Sequence, residues 1–233
     1  MANIYFIRHG QASFGSDNYD NLSPLGHSQA QHLAKHFNQR NIRPDQVICG
    51  DMARHLQTRD ACLASLSAPL MHNGLQITPA WNEFDHEQVI SVYRPDLASP
   101  EALQHYLKQQ PSPAKAFITL FSQAISQWQD SENTAQYHES WEHFSQRVTQ
   151  GLSQLIQQAD KEETIFVFTS GGVISKIIMQ TLAIPENKFF DINRQLVNAS
   201  VTQLQLKSQH LNLITMNEHG FFDGDYRHLY SLL

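Results

Sequence analysis

The sequence predicts an α/β fold: a three-layer sandwich with a mostly parallel central sheet, helices on both faces and a helical cap insertion. Three observations lead there. Short apolar runs of strand length recur at Ile4 to Ile7, Gln46 to Cys49 and Thr164 to Phe168. Segments of helical period alternate with them, which is the pattern of crossover connections and a parallel sheet. Composition changes at about residues 87–140, within a chain of 233 residues that can bury a substantial core. The reading is a single domain over 1–233 with a capping insertion at about 87–140.

Ile4 to Ile7 is continuously apolar and rich in β-formers, so it reads as a buried strand. It stops abruptly in Arg8-His9-Gly10. A cation, an imidazole and a glycine are thus delivered to the carboxyl end of a sheet, where open α/β sheets bind ligands. His9 becomes a candidate nucleophile and Arg8 a candidate anion clamp, while Gly10 can turn the chain and let a ligand approach the backbone. The same residues could simply close the strand with hydrogen bonds; both readings stand at this point. After a polar loop from Ser13 to Asn21, Ser23-Pro24 has the form of a helix start, with Ser23 as N-cap. Leu25, Leu33 and Phe37 follow at helical spacing. His32 and His36 have metal-ligand spacing but sit among Gln and Lys without a third ligand, and read as a wet face.

Gln46 to Cys49 is a second strand, and Gly50-Asp51 turns it into a helix with Asp51 expected as N-cap. Arg54 then falls in the first turn, where free backbone N–H groups favour an anion. Arg59 reads as a solvated helix arginine. Gly74 to Pro79 is a turn and short strand, and Trp81 to His86 carries Glu83, Asp85 and an imidazole to a third strand end. From about Glu87 to Ser140 the chain is rich in Gln, Ser and Pro, with Leu103, Leu107, Phe117, Phe121, Ile125 and Trp128 at helical spacing. Helices placed over a sheet edge can exclude water and select substrates. Trp141 to Ala159 is a well-patterned helix. Thr164 to Phe168 is a buried strand ending in Thr169-Ser170-Gly171-Gly172 before another helix, a natural anion cradle without the spacing of a P-loop. Ser200 to Leu206 and Leu211 to Met216 alternate as hairpin strands, and the aromatic tail after Glu218 is expected to cover an edge.

Composition narrows the class. No apolar run is long enough to span a bilayer, and no signal peptide precedes the first strand. Cys49 and Cys62 have neither metal nor disulfide spacing, so the expected location is cytoplasmic. A net charge of −6 without a basic stripe argues against nucleic acid as a partner.

Four strand ends then converge: Arg8-His9-Gly10, Gly50 to Arg54, Glu83, and Ser170-Gly171-Gly172. Together they supply a nucleophile, two guanidinium groups, a carboxyl group and a glycine-rich helix start, which suits phosphoryl transfer through a histidine. The chain resembles the histidine phosphatase superfamily, the phosphoglycerate mutase-like proteins. The resemblance rests on Arg-His-Gly after the first strand, Leu22-Ser23 with Gly26 and Gln29-Ala30, Arg54 with Gln57-Thr58, and Asn82-Glu83-Phe84-Asp85. Glu139-Ser140 with Phe144, Arg147 and Val148, and Asn198 with Ser200-Val201-Thr202, extend it over nearly the whole chain. It implies His9 as the phosphorylated residue, Glu83 as acid and base, and Arg8, Arg54, Ser170 and Gly171 as phosphate-binding groups. It implies no cofactor and no metal, and a small phosphorylated substrate or a phosphoprotein as partner, with no nucleic acid and no membrane.

Two departures qualify the resemblance. Ser170 stands where the family has a second histidine, and a neutral hydroxyl donates a weaker hydrogen bond than an imidazolium. Gln11 and Gly15 replace the acid and asparagine of the mutase branch, which argues against mutase activity. The leading reading is a phosphatase acting on a phosphomonoester. A catalytically weak relative that binds a phosphorylated ligand is the alternative. A serine hydrolase using Ser170 lacks the nucleophile-elbow glycine, since Phe168 stands there.

Overall fold

The computed structural model describes residues 1–13, 20–67 and 74–232. Six strands, β1 (Ala2–Arg8), β2 (Gln46–Cys49), β3 (Leu75–Ile77), β4 (Thr164–Thr169), β5 (Val201–Lys207) and β6 (His210–Glu218), form one sheet in the order β3-β2-β4-β1-β5-β6. The first four are mutually parallel, and β5 and β6 add an antiparallel hairpin at one side. Ser208 and Gln209 close that hairpin with φ of 48° and 67°, the left-handed pair that suits a tight turn between twisted strands.

The apolar strands are buried on both faces, as expected of a sheet between two helical layers. Tyr5 and Ile7 of β1 pack with Leu33 and Phe37 of α1 (Pro24–Gln39) and Cys62 of α2 (Ala53–Leu63). Ile4 and Phe6 pack the other way, against Phe144 and Val148 of α6 (Trp141–Gln158) and Ile177 of α7 (Gly171–Leu182). Burying each such side chain is worth about 1.5–3 kcal/mol, so both layers are needed to hold the central strands. The chain is therefore a three-layer α/β sandwich. Within residues 87–140, α3 (His86–Tyr93), α4 (Pro100–Lys108) and α5 (Pro113–Trp128) gather around Ile90, Leu97 and Leu120, while Ile125 and Trp128 root α5 in the α6–α7 core.

Several local expectations hold. Ser23 caps α1 by accepting from the Gly26 N–H at 3.1 Å, and Pro24 opens the helix. Others change. Asp51 is not the cap of α2: the helix starts at Ala53, and Asp51 instead accepts from the Asn82 amide at 2.5 Å. The orphan N–H of Ala53 is satisfied by Asp20, 33 residues earlier, at 2.7 Å. His32 and His36 are not a wet face. The aromatic tail folds onto α1 rather than a sheet edge, so His32 is buried against Phe222 and Tyr226 and His36 stacks on Phe221. Arg59 is likewise buried and paired with Asp60 at 2.7 Å. Gly15, with residues 14–19 of the loop before α1, lies outside the described residues.

Among the described residues no helix is long and apolar enough to cross a membrane. α7 ends at Ala183, exposed and held at φ 53°, ψ 40°. This left-handed cap position costs a Cβ-bearing residue about 1 kcal/mol that glycine escapes. Ala183→Gly should raise the urea midpoint, by up to about 1 kcal/mol in unfolding free energy; a lower midpoint would show that unfolded-state entropy outweighs the relief.

Candidate active site

The carboxyl ends of β1, β2 and β4 and the segment after β3 meet on one edge because the strands are parallel and each is followed by a turn. A cavity of about 420 Å³ opens there. Its polar side is lined by Arg8, His9, Arg54 and Glu83, with His86, Asn193 and Asn198 beside them. Its other side is apolar, formed by Leu107 of α4 and by Pro113, Ala114, Phe117 and Phe121 of α5.

His9 leaves the sheet one residue after β1 and is 7% exposed. Its backbone N–H donates to Thr169, and its carbonyl accepts from Ala199. Its Nδ1 lies 2.7 Å from the Gly10 carbonyl, which can only accept. The ring proton therefore sits on Nδ1, leaving the lone pair on Nε2. Burial, then the charges of Arg54 and Arg8, then His55, push its pKa well below the usual imidazole range. A buried neutral imidazole with an unprotonated Nε2 is a competent nucleophile.

Gly10 is glycine for a different reason from the one expected. A Cβ there would collide with the Gly26 carbonyl, and a Cβ on Gly26 would collide with the Gln11 carbonyl. These two glycines let the first turn of α1 sit directly on the backbone behind His9.

The two arginines are held from behind. Arg8 Nη1 donates to the carbonyls of Leu196 and Leu232, the latter at 2.9 Å. Arg54 Nη1 donates to Asp20 Oδ1 at 2.5 Å, and Arg54 is 4% exposed, so its guanidinium is held inside the protein. Fixed guanidinium groups suit the spread charge of a phosphoryl group and cost little reorganisation.

Glu83 occupies the N-terminus of α7. Its Oε2 accepts from the Gly172 N–H at 3.0 Å, and a Cβ on Gly172 would collide with Glu83 Oε1. The glycine-rich helix start thus cradles the protein's own carboxyl group. Burial raises the Glu83 pKa, against the lowering pull of Gly172, Arg54 and Arg8. Asp85 is engaged elsewhere, capping α3 through the Gln88 N–H. Arg147 pins the segment that carries Glu83, donating to the carbonyls of Pro79, Ala80 and Asn82 while forming a two-pronged pair with Glu139. His86 also reaches the cavity; burial and Arg54 push its pKa to about 4, so it is neutral.

Ser170 and Gly171 are placed differently from the other four predicted site residues. Neither lines the cavity. Ser170 is fully buried, and its Oγ lies 2.5 Å from His55 Nε2. Gly171 sits against the Asn193 side chain, 3.5 Å from Arg8 Nε by its would-be Cβ. His55, also fully buried, was not singled out from the sequence, nor were Asp20 and Asn193. The one available signal was the coincidence of a histidine beside Arg54 with a missing histidine at 170. Among the described residues, no group of three or more His, Cys, Asp or Glu side chains could hold a metal ion.

Residues 4–116 and 113–219 match the family description of the histidine phosphatase superfamily, branch 1. The chain belongs to that superfamily. Solved structures agree on the fold. YhfR of Bacillus stearothermophilus superposes with a TM-score of 0.68 at 13% identity, covering 96% of this chain and 100% of that one. Phosphoglycerate mutase from Bacillus anthracis gives 0.64 at 16% identity, covering 94% of each chain. The mycobacterial glucosyl-3-phosphoglycerate phosphatase gives 0.59 at 19% identity, covering 92% of this chain and 98% of that one. No curated protein matches the chain at a significant level. Membership of this superfamily supports a phosphatase-type enzyme.

Proposed function

We propose that the protein is a metal-independent phosphatase that hydrolyses a phosphomonoester through a phosphohistidine on His9. The observation that carries this reading is the neutral His9, protonated on Nδ1, lining one cavity with two anchored arginines and a carboxyl of raised pKa. In the first step Nε2 attacks phosphorus, the P–O ester bond breaks, and protonated Glu83 gives its proton to the leaving oxygen. In the second, water attacks the phosphohistidine, ionised Glu83 takes the water proton, and the P–N bond breaks to release phosphate. Arg8 and Arg54 stabilise the phosphoryl charge in both steps.

The substrate's alcohol portion is apolar and small. The wall facing the arginines is built from Leu107, Pro113, Ala114, Phe117 and Phe121, and among the described residues lining the cavity the only cations are Arg8 and Arg54. On this reading α4 and α5 act as the cap. A wall of this kind offers little to hold a polar diol in place, which favours release and hydrolysis over return of the phosphoryl group to a second hydroxyl. The location proposed is the reducing cytosol: Cys49 and Cys62 are free and buried, and burial pushes both thiols up to about 12.

Hexyl phosphate and glycerol 3-phosphate have similar leaving groups and differ in apolar surface. With EDTA present, kcat/KM should be at least about thirtyfold higher for hexyl phosphate, since burying a few methylenes at about 0.8 kcal/mol each supplies that factor. A requirement for added divalent metal, or a preference for the glycerol ester, would refute the respective part of the proposal. Tight phosphate binding with no turnover of either ester would favour a binding protein instead. The serine hydrolase reading has no support in the geometry, because Ser170 does not line the cavity and, among the described residues, His55 Nδ1 has no carboxylate to orient it.

A further inference from the structure

Asn198 lines the cavity with Arg8 and His9, and the mechanism above leaves it unused. β1 and β5 are antiparallel with Ile7 opposite Val201, so the residues just before β5 run beside those just after β1. Asn198 is buried there, with its Nδ2 3.4 Å from the His9 carbonyl. Which end of its amide faces the cavity follows from a series of hydrogen bonds that has one polarity. The Gln11 backbone N–H can only donate, so the Gln29 atom 2.8 Å from it is the oxygen, Oε1. Gln29 Nε2 then donates, to the Leu229 carbonyl at 2.7 Å and to Ser231 Oγ at 2.8 Å. A carbonyl only accepts, so Leu229 fixes the same orientation independently. Ser231 Oγ accepts from Gln29 and has a single hydrogen to give, which goes to Asn198 Oδ1 at 2.8 Å. The nitrogen of the Asn198 amide is thereby turned toward His9, carrying two N–H groups. The His9 carbonyl already accepts from the Ala199 N–H at 3.1 Å and takes at most one of them, at the longer 3.4 Å. Among the described residues the other meets no acceptor.

We propose that Asn198 is a further phosphate-binding residue, donating from Nδ2 to a phosphoryl oxygen, and that Ser231 is the positioning residue that holds its amide in that orientation. The inference deepens the proposed function and rests on reading this cavity as the phosphoryl site. A phosphoryl oxygen is the acceptor that the spare N–H lacks, and a hydrogen bond to a charged acceptor is stronger than one between neutral groups. Ser170 does not line the cavity, so Asn198 supplies a donor that position 170 cannot. The segment that carries Ser231 also holds Arg8 through the Leu232 carbonyl at 2.9 Å, and the Asn198 backbone N–H donates to the Ser231 carbonyl at 2.9 Å. One strand of chain thus orients two phosphate ligands from behind.

The test measures phosphate affinity by calorimetry and vanadate inhibition of hexyl phosphate turnover, with thermal melting to confirm folding. Asn198→Ala should weaken both anions about tenfold. Asn198→Asp keeps the shape and replaces the donor by a carboxylate, so it should bind both at least about tenfold more weakly than Asn198→Ala; it also covers the case in which Asn198→Ala does not fold. Ser231→Ala should weaken both about threefold, because the amide is free to turn over, and Ser231→Thr, which keeps the hydroxyl, should match wild type. Added to Asn198→Ala, Ser231→Ala should cost nothing more, since the group it orients is gone. Unchanged affinities in Asn198→Ala, an Asn198→Asp no weaker than Asn198→Ala, or a Ser231→Ala loss that persists without the Asn198 amide would each overturn the proposal. A wild type that binds phosphate without turning over the ester would remove the phosphatase reading alone, and the phosphate affinities of the same variants would still decide this one. A wild type that does neither would remove both.

Discussion

His9→Ala should lose essentially all turnover, roughly 10⁵-fold or more in kcat, and should accumulate no phosphoenzyme. The size of the effect follows from the lining of the cavity. Among the described residues there, His86 is the other imidazole, and its neutral ring belongs to α3 rather than to the β1 end between the arginines. The buried thiols are held protonated by their high pKa, and Ser170 is sealed off. His9 alone combines an unprotonated Nε2 with two guanidinium groups that can accept the phosphoryl charge. Wild type mixed briefly with a labelled phosphomonoester and quenched in alkali should carry label that is released by acid, as a phosphoramidate requires. Because burial and both arginines lower the His9 pKa, the nucleophile stays unprotonated at pH values where an ordinary histidine is charged. Activity should therefore persist into mildly acidic solution. Label retained by His9→Ala would refute the assignment.

Glu83→Gln should separate substrates by their leaving groups. For hexyl phosphate, whose alkoxide must be protonated as it departs, kcat/KM should drop about 10³-fold. For 4-nitrophenyl phosphate, whose phenolate leaves unaided, the drop should be within about tenfold. The water step still lacks its base, so that substrate should give a burst of nitrophenolate followed by a slow phase. The pH profile supplies a second check. Burial raises the Glu83 pKa, so the carboxyl keeps its proton to a higher pH than an ordinary glutamate. In wild type, kcat/KM for the alkyl ester should fall as pH rises through that pKa and the acid is lost. In Glu83→Gln that alkaline limb should be absent. Equal slowing of both esters, or an unchanged alkaline limb, would remove Glu83 from the acid role.

Most of the framework was written in local pattern. The run from Ile4 to Ile7, the Ser23-Pro24 helix start, the stripe through Phe144, Val148 and Leu152, and the Thr164 to Phe168 strand depend on neighbours a few residues away. Chain statistics report such short-range preferences well. The gathering of Arg8, His9, Arg54 and Glu83 also followed from the sequence. Parallel strands joined by helices point their carboxyl ends to one edge, and the adjacency of β2, β4 and β1 in the sheet brings the residues at those ends together. The family resemblance added roles to those positions without needing their coordinates.

What local pattern could not carry were the partners of individual polar groups. Asp51 and Asp20 are equally plausible caps by type, and only the path of the chain puts Asp20 against the Ala53 N–H. His32 and His36 look solvent-facing until a tail some 190 residues later lies across them, as in the 2.8 Å contact of His32 with the Phe221 carbonyl. Ser170 and His55 are 115 residues apart, and their pairing rests on α2 and α7 both starting at the same sheet edge. The sequence by itself determined the layers, the strand ends and the chemistry assembled there, because periodicity and parallel topology are properties of short segments and their order. Tertiary structure alone decided which hydroxyl, imidazole or carboxylate satisfies which buried group, because a hydrogen bond needs its partners within about 3 Å and no spacing along the chain encodes that distance.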